Sequence, residues 1–333
     1  MLQRRLGRTG LDLSVLSFGC GAVGGLMTKG DPADQERAFA YAVDHGITYF
    51  DTAAQYGDGT SEQNLGRILA KSAWSAIRVG TKVRLRPTDY AHIAKAIPAA
   101  LDASLARLGR NEIDLYQLHN RAAAATHDDA LAADAFVAEA VPALERLRQA
   151  GKIRWFGITA LGETPALARV VESGAFDTAQ ICFNALNPSA AAALPGANYP
   201  AQDYDRLMQR AVDAGMGTIG IRVLAGGALS GSAERHPLNV QDVEPIGSGA
   251  DFRRDVDRAR RFAPLIQEGH VASLPELAIR FAISEPALST TLVGLADMDQ
   301  LRTAIAAAEK GPLPAATLAR IAELQRSFLG EAR

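Results

Sequence analysis

The sequence has little cysteine, almost no net charge and no long apolar run. Only Cys20 and Cys182 occur among 333 residues, too few for a disulfide framework or a cysteine-rich metal site. Both are expected to be reduced thiols. Lysine plus arginine number 35 against 37 aspartates and glutamates, a formal charge of −2, so there is no global field to gather a polyanion and nucleic acid is not an expected partner. No apolar stretch approaches the ~18 residues of a membrane-spanning helix. The opening MLQRRLGRTGLDLSVLSFGCG carries charges within its first eight residues and no long apolar core. A cytoplasmic protein without membrane contact is expected. His127, His236 and His270 lack partners at metal-ligand spacing, so no metal is expected either. No internal repeat or linker divides the chain, and residues 1–333 are read as one domain.

What is present is an alternation. Short β-branched runs at Val15–Phe18, Thr48–Phe50, Ile77–Val83, Ile113–Leu118, Ile153–Ile158, Thr178–Phe183, Gly217–Val223 and Thr290–Val293 read as strands. Between them lie amphipathic stretches. The clearest runs from about Thr88 to Leu108, with Ile93, Ile97, Leu101, Leu105 and Leu108 on one stripe. Another carries Val137, Val141, Leu144 and Leu147 ahead of Gly151, which is placed to end it. Further helices are expected at Asp34–His45, Ser61–Ala70, Thr164–Ser173, Gln202–Ala214, Ser273–Ser284 and Asp297–Glu309. Eight strands each followed by a helix argue for parallel pairing, and closure removes sheet edges, so the expected fold is a (β/α)₈ barrel. Such a barrel takes about 250 residues. The surplus is assigned to an N-terminal hairpin around Gly7–Leu11, a long segment after the seventh strand with a helix near Asp251–Gln267, and a C-terminal helix near Ala315–Phe328.

In a barrel of this kind chemistry belongs at the C-terminal strand ends. Asp51, Lys82 and His119 fall at such ends, and Tyr56 opens the loop after the second strand. Singly, each has a bland reading: a capping aspartate, a snorkelling lysine, a core histidine. Four such groups at one rim point instead to proton transfer. A phenol of pKa ~10 donates poorly near neutrality, and an adjacent ammonium is expected to lower that value. Asp51 paired with Lys82 would keep the amine charged, and a neutral His119 can hydrogen-bond a carbonyl oxygen. That set suits carbonyl reduction and lacks only a hydride. It disfavours a Schiff-base role for Lys82.

The segments DTAAQYG, SEQNLG, TK, DLYQLH, GKIRWFGIT, AQICFN, AGGALSG and VGLADMDQL resemble those of the aldo-keto reductase superfamily along nearly the whole chain. The resemblance implies a barrel that binds an extended nicotinamide dinucleotide, normally NADPH, and a tetrad falling on Asp51, Tyr56, Lys82 and His119, with Tyr56 the acid that protonates the carbonyl oxygen. It implies cofactor contacts from Gly19, Cys20, Thr159, Gln180, Ile221, Arg222, Leu224, Gly226, Leu229, Gly294, Asp297 and Gln300. Gln180 and the Thr159-Ala160 pair, usually Ser-Asn in relatives, would hold the carboxamide; Ala160 has no donor to offer. Ile221-Arg222-Val223-Leu224 stands where relatives often carry Tyr-Ser-Pro-Leu, and brings a guanidinium suited to phosphate. After Gly294, where relatives that grip a 2′-phosphate place a basic residue, this chain has Leu295, Ala296 and Asp297, with Arg302 further along. NADH therefore stays open beside NADPH.

The expected partner is a small carbonyl or alcohol substrate, of unspecified identity, and the oligomeric state is not legible. Cys20 and Met27 are candidate pocket residues as well as core fillers. Trp74 and Trp155 read as packing residues. A nicotinamide-nucleotide-binding module or redox sensor is the alternative to an enzyme.

Overall fold

Each expected strand forms close to its expected limits in the computed structural model, which describes residues 1–71, 76–128, 130–244, 246–249 and 251–332. Trp74 lies outside the described residues. A hairpin of β1 (Gln3–Arg5) and β2 (Asp12–Ser14) leads into β3 (Leu16–Gly19), β4 (Tyr49–Asp51), β5 (Arg78–Val83) and β6 (Ile113–Leu118). Two short strands follow, β7 (Arg121–Ala123) and β8 (Ala130–Ala132), then β9 (Ile153–Ala160), β10 (Thr178–Cys182), β11 (Gly217–Ile221) and β12 (Thr290–Gly294). The strands β3, β4, β5, β6, β9, β10, β11 and β12 close in that order into a barrel whose pairs are all parallel. This is the (β/α)₈ architecture.

Parallel strands in a barrel are buried on both faces and need apolar residues at successive positions. All six residues of β6 are buried. Outward side chains meet the surrounding helices: Phe50 of β4 packs on Phe39 of helix Pro32–Asp44 with ring centroids 4.4 Å apart. Inward side chains change character up the barrel. Tyr49, Leu115, Ile219 and Leu292 form an apolar floor with Leu6 and Leu13 of the hairpin, which Arg4 pins by donating to the carbonyls of Ile283, Glu285 and Leu288 at 2.7–2.8 Å. One pleat higher, two residues along each strand, the inward positions become Asp51 and Gln117, joined by Lys82, Thr159 and Gln180. The floor is apolar and the rim is polar.

Four expectations need adjustment. Helix Gln202–Ala214 is reduced to Leu207–Asp213, because Asp205 and Arg206 take left-handed φ of 46° and 53° and Gln202 is held by side-chain bonds to Gly162 O and Thr164 Oγ1. The stretch from Thr88 begins as a 3₁₀ turn, Pro87–His92, before helix Ile93–Leu108. The helix expected from Val137 is a π turn, Phe136–Ala140, followed by Val141–Gln149. The helix expected at Asp251–Gln267 is divided into Phe252–Arg260 and Pro264–Gln267. The alanine-rich stretch after His119 also carries β7 and β8, which the sequence pattern did not announce. Among the described residues no helix is long and apolar enough to cross a membrane.

Candidate active site

Asp51 ends β4 and is 3% exposed; Lys82, one place before the end of β5, is 1% exposed. Asp51 forms a buried ion pair with Lys82. The lysine ammonium also donates to Thr52 O at 2.8 Å and to Tyr56 Oη at 3.2 Å, with its nitrogen 4.8 Å from the centre of the Tyr56 ring. A buried charge is costly unless paired and fully hydrogen-bonded, and here all three ammonium donors are used. Asp51 is equally well served: beside Lys82 its Oδ2 accepts from Gln180 Nε2 at 2.7 Å, Tyr49 Oη at 2.9 Å and Gln117 Nε2 at 3.3 Å. Tyr49 reaches Asp51 because Gly80 faces it; a Cβ at position 80 would collide with the phenol oxygen.

Electrostatics follow from this burial. Burial draws the Lys82 amine down, but Asp51 and Tyr56 together outweigh it and hold the group above the usual lysine value. Tyr56 departs from the sequence expectation. Lys82 does favour its phenolate, yet burial is the larger effect and the net shift is upward. His119 follows β6, and its ring stands edge-on to Tyr56 at 6.0 Å and 85°. Burial first, then the charges of Lys82 and Arg84, push His119 well below the ordinary histidine value, so it is a neutral imidazole. Its Nδ1 is buried without a hydrogen-bond partner.

A brace outside the barrel fixes these strand ends. On helix Thr60–Leu69, Ser61 Oγ donates to Cys20 O at 2.9 Å and meets Thr52 Oγ1 at 2.8 Å. Its neighbour Glu62, fully buried, accepts from Thr81 Oγ1 and, at 2.6 Å, from Arg107 Nε. The Ser61-Glu62 pair thus ties the ends of β3, β4 and β5 together, with Asp51 and Lys82 beside the ties.

A cleft of about 800 Å³ opens over this rim. It runs past Tyr56, His119, Thr159 and Gln180, then Ile221, Arg222, Gly226 and Gly227, to Gly294, Asp297 and Gln300. The segment 235–244 crosses it: Arg235 donates to Gly226 O at 2.7 Å, while Asn239 Nδ2 donates to Val23 O at 2.8 Å on the opposite bank. Exposed Glu244 pairs with Arg121 beside the tetrad.

A model of the aldo/keto reductase family matches residues 15–326. The chain belongs to that family. L-galactose dehydrogenase of Arabidopsis thaliana is 26% identical over 91% of this chain and 87% of its own length. Pyridoxal 4-dehydrogenase of Microbacterium luteolum is 26% identical over 90% of this chain and 91% of its own. An aldo-keto reductase from Bacillus halodurans, solved in its holo form, superposes with a TM-score of 0.70 at 23% identity, covering 100% of this chain and 98% of that one; it shares the fold. This aldo/keto reductase is an NAD(P)H-dependent oxidoreductase of a family that acts on small-molecule carbonyl or sugar substrates.

Most residues expected at the cofactor site of this reductase line the cleft: Gly19, Thr159, Gln180, Ile221, Arg222, Leu224, Gly226, Gly294, Asp297 and Gln300. Cys20 and Leu229 do not; both are buried in the hydrophobic core, as is Met27. Ala160 faces outward into that core, since alternation along β9 brings only Thr159 inward. Trp155 packs against the barrel floor. Tyr49, Gln117 and Arg84 were missed. The legible signal for Gln117 was a polar residue two places above Leu115, at an inward position of an otherwise apolar strand.

Proposed function

We propose that this aldo/keto reductase reduces an aldehyde or ketone, or oxidises a sugar or other secondary alcohol in reverse, with Tyr56 exchanging the proton with the substrate oxygen. The observation that carries the reading is the Lys82 ammonium, shared between Asp51 and the Tyr56 hydroxyl at the floor of an open cleft. Tyr56 is protonated at neutral pH and is therefore an acid ready to donate. As it does so, the developing phenolate is met by Lys82, which Asp51 keeps charged and aimed. Neutral His119 holds the substrate oxygen by a hydrogen bond without competing for the proton. In the oxidative direction the same groups act in reverse.

The cleft fits a dinucleotide. Half-buried Arg222 has no ion-pair partner among the described residues, and Nη2 of neighbouring Arg235 is buried with no acceptor. Gly226 and Gly227 take φ of 68° and 109°, which leaves the loop backbone bare for close approach. A nicotinamide dinucleotide bound here supplies the hydride that the side chains lack. Thr159 and Gln180 would hold its carboxamide, Ile221 its ring, Arg222 and Arg235 its phosphates, and Gly294 and Asp297 its adenosine. At that last end, Asp297 caps helix Met298–Glu309 by accepting from Gln300 N at 2.8 Å. The carboxylate therefore stands where a 2′-phosphate would seek the helix N-terminus. Arg302 is turned to Asp299 at 2.8 Å. Resemblance alone implied NADPH; these residues favour NADH, with Asp297 accepting from a ribose hydroxyl.

The test is loss of reduced-nicotinamide absorbance with a panel of aldehydes and ketones, using NADH and NADPH and the Tyr56→Phe variant. Turnover that falls by at least about a hundredfold in Tyr56→Phe, with cofactor binding kept, is expected. Wild-type rates in Tyr56→Phe would overturn the role of Tyr56. Cofactor binding without turnover in either direction would support a nucleotide-binding module instead.

A further inference from the structure

The substrate end of the cleft contains one arginine without an assigned task. Arg84 follows β5 and lines the same cleft as Tyr56 and His119. Its backbone is fixed on both sides: His119 N donates to Val83 O at 2.7 Å, and Asn120 grips Leu85 reciprocally, accepting from Leu85 N and donating to Leu85 O at 2.8 Å each. These bonds hold the base of the Arg84 side chain in register with His119. Arg86 pairs with Asp89 and Arg121 with Glu244, while Arg222 and Arg235, which line the same cleft, are proposed to hold the cofactor phosphates. Arg84 has no acidic partner among the described residues, and it is exposed where it lines the cleft. Its charge reaches far enough to bear on His119.

A guanidinium on a rigid base, unpaired and facing the place where the substrate must lie, is a docking point for an oxyanion. We propose that this reductase prefers a substrate carrying an anionic group, a carboxylate or a phosphate, a short chain away from the reacting carbon, and that Arg84 binds that group. The inference rests on the oxidoreductase reading of the same site. Arg84 acts in recognition and plays no part in the proton relay, so its effect belongs in KM more than in kcat.

Matched substrates test it. Succinic semialdehyde and butanal differ by a carboxylate in place of a methyl group; glyceraldehyde 3-phosphate and glyceraldehyde differ by a phosphate. The ratio of kcat/KM, charged over neutral, is measured for wild type, Arg84→Gln and Arg84→Lys. Wild type is expected to favour one charged member by about tenfold, and the pair that shows it identifies the anion. Arg84→Gln should bring that ratio near one, Arg84→Lys should keep part of it, and added salt should erode it in wild type. Equal ratios in wild type and Arg84→Gln for both pairs would overturn the proposal while leaving the reductase reading intact. If no aldehyde turns over, the reductase reading is what has failed. Calorimetric titration of succinate and of inorganic phosphate into wild type saturated with oxidised cofactor then decides the anion site: binding lost in Arg84→Gln sustains it, and equal binding in both proteins rejects it.

Discussion

Gln180 donates its side-chain N–H to Oδ2 of Asp51 at 2.7 Å across the top of the barrel. Thr159 Oγ1, in turn, points at Gln180 Oε1 at 3.4 Å. A residue expected to serve the cofactor is therefore part of the shell that holds the buried carboxylate before any cofactor arrives. Its removal should be felt in the free protein. Gln180→Ala is expected to cost roughly 2 kcal/mol of stability, the range for a hydrogen bond to a charged group, measured by urea unfolding without nucleotide. An unchanged midpoint in urea, paired with a raised KM for cofactor, would show that Gln180 serves the nucleotide alone.

The Asp51–Lys82 pair carries the next prediction. Lys82→Met strands a carboxylate in a closed barrel and should cost about 3–5 kcal/mol. The double variant Asp51→Asn with Lys82→Met removes both charges of the pair and should recover much of that loss while staying inactive. The pH profile separates the roles further. Because burial raises Tyr56 and Lys82 only partly offsets it, the reductive rate should stay level through neutrality and fall only above the ordinary tyrosine range of ~10. Oxidation should climb toward the same limit. A reductive limb centred near pH 7 would contradict the upward shift.

The sequence disclosed the barrel because its eight strands are short, largely apolar runs that are mostly buried, and the helices between them keep a clear stripe. The convergence of Asp51, Tyr56, Lys82 and His119 was legible because, although each has a bland reading singly, four such groups at one barrel rim have few structural explanations together. Less legible was what depends on three-dimensional packing. The direction of the Tyr56 shift needed the depth of its burial, and the inward-facing parity that makes Thr159 a site residue and Ala160 a core residue needed the barrel register. Asp205 and Arg206 in left-handed conformation broke a helix that periodicity alone extends. Arg84 carries no signal in the sequence; its place on the cleft needed the structure.

His119 ties acid stability to the site. In the unfolded chain an imidazole takes up a proton below pH ~6.5, whereas the folded His119 stays neutral to well below that value. As pH falls through 6.5 the unfolded state binds the extra proton, and stability declines by up to ~1.4 kcal/mol per pH unit until the folded group also titrates. His119→Asn removes this contribution. Between pH 6.5 and 4.5 the urea midpoint of wild type should drop more steeply than that of the variant. Parallel curves would mean that His119 is protonated in the folded protein too.

Asp297 offers the sharpest control over cofactor choice. It caps its helix, so replacing it with alanine would confound charge with stability, at roughly 1 kcal/mol for the lost cap. Asparagine caps as well as aspartate and differs in charge alone. Asp297→Asn should therefore keep the thermal midpoint while removing the repulsion that a 2′-phosphate meets, aided by His236, whose Nε2 lies 3.7 Å from Asp297 Oδ2. The expected result is a rise of about tenfold in kcat/KM for NADPH relative to NADH, the equivalent of ~1.4 kcal/mol. Most of it should come through KM, and high salt should blunt it, because an exposed charge at this rim is screened over about 8–10 Å. If the ratio of the two cofactors is the same in wild type and Asp297→Asn, the carboxylate does not face the ribose, and discrimination must come from the segment 235–244 that crosses the cleft.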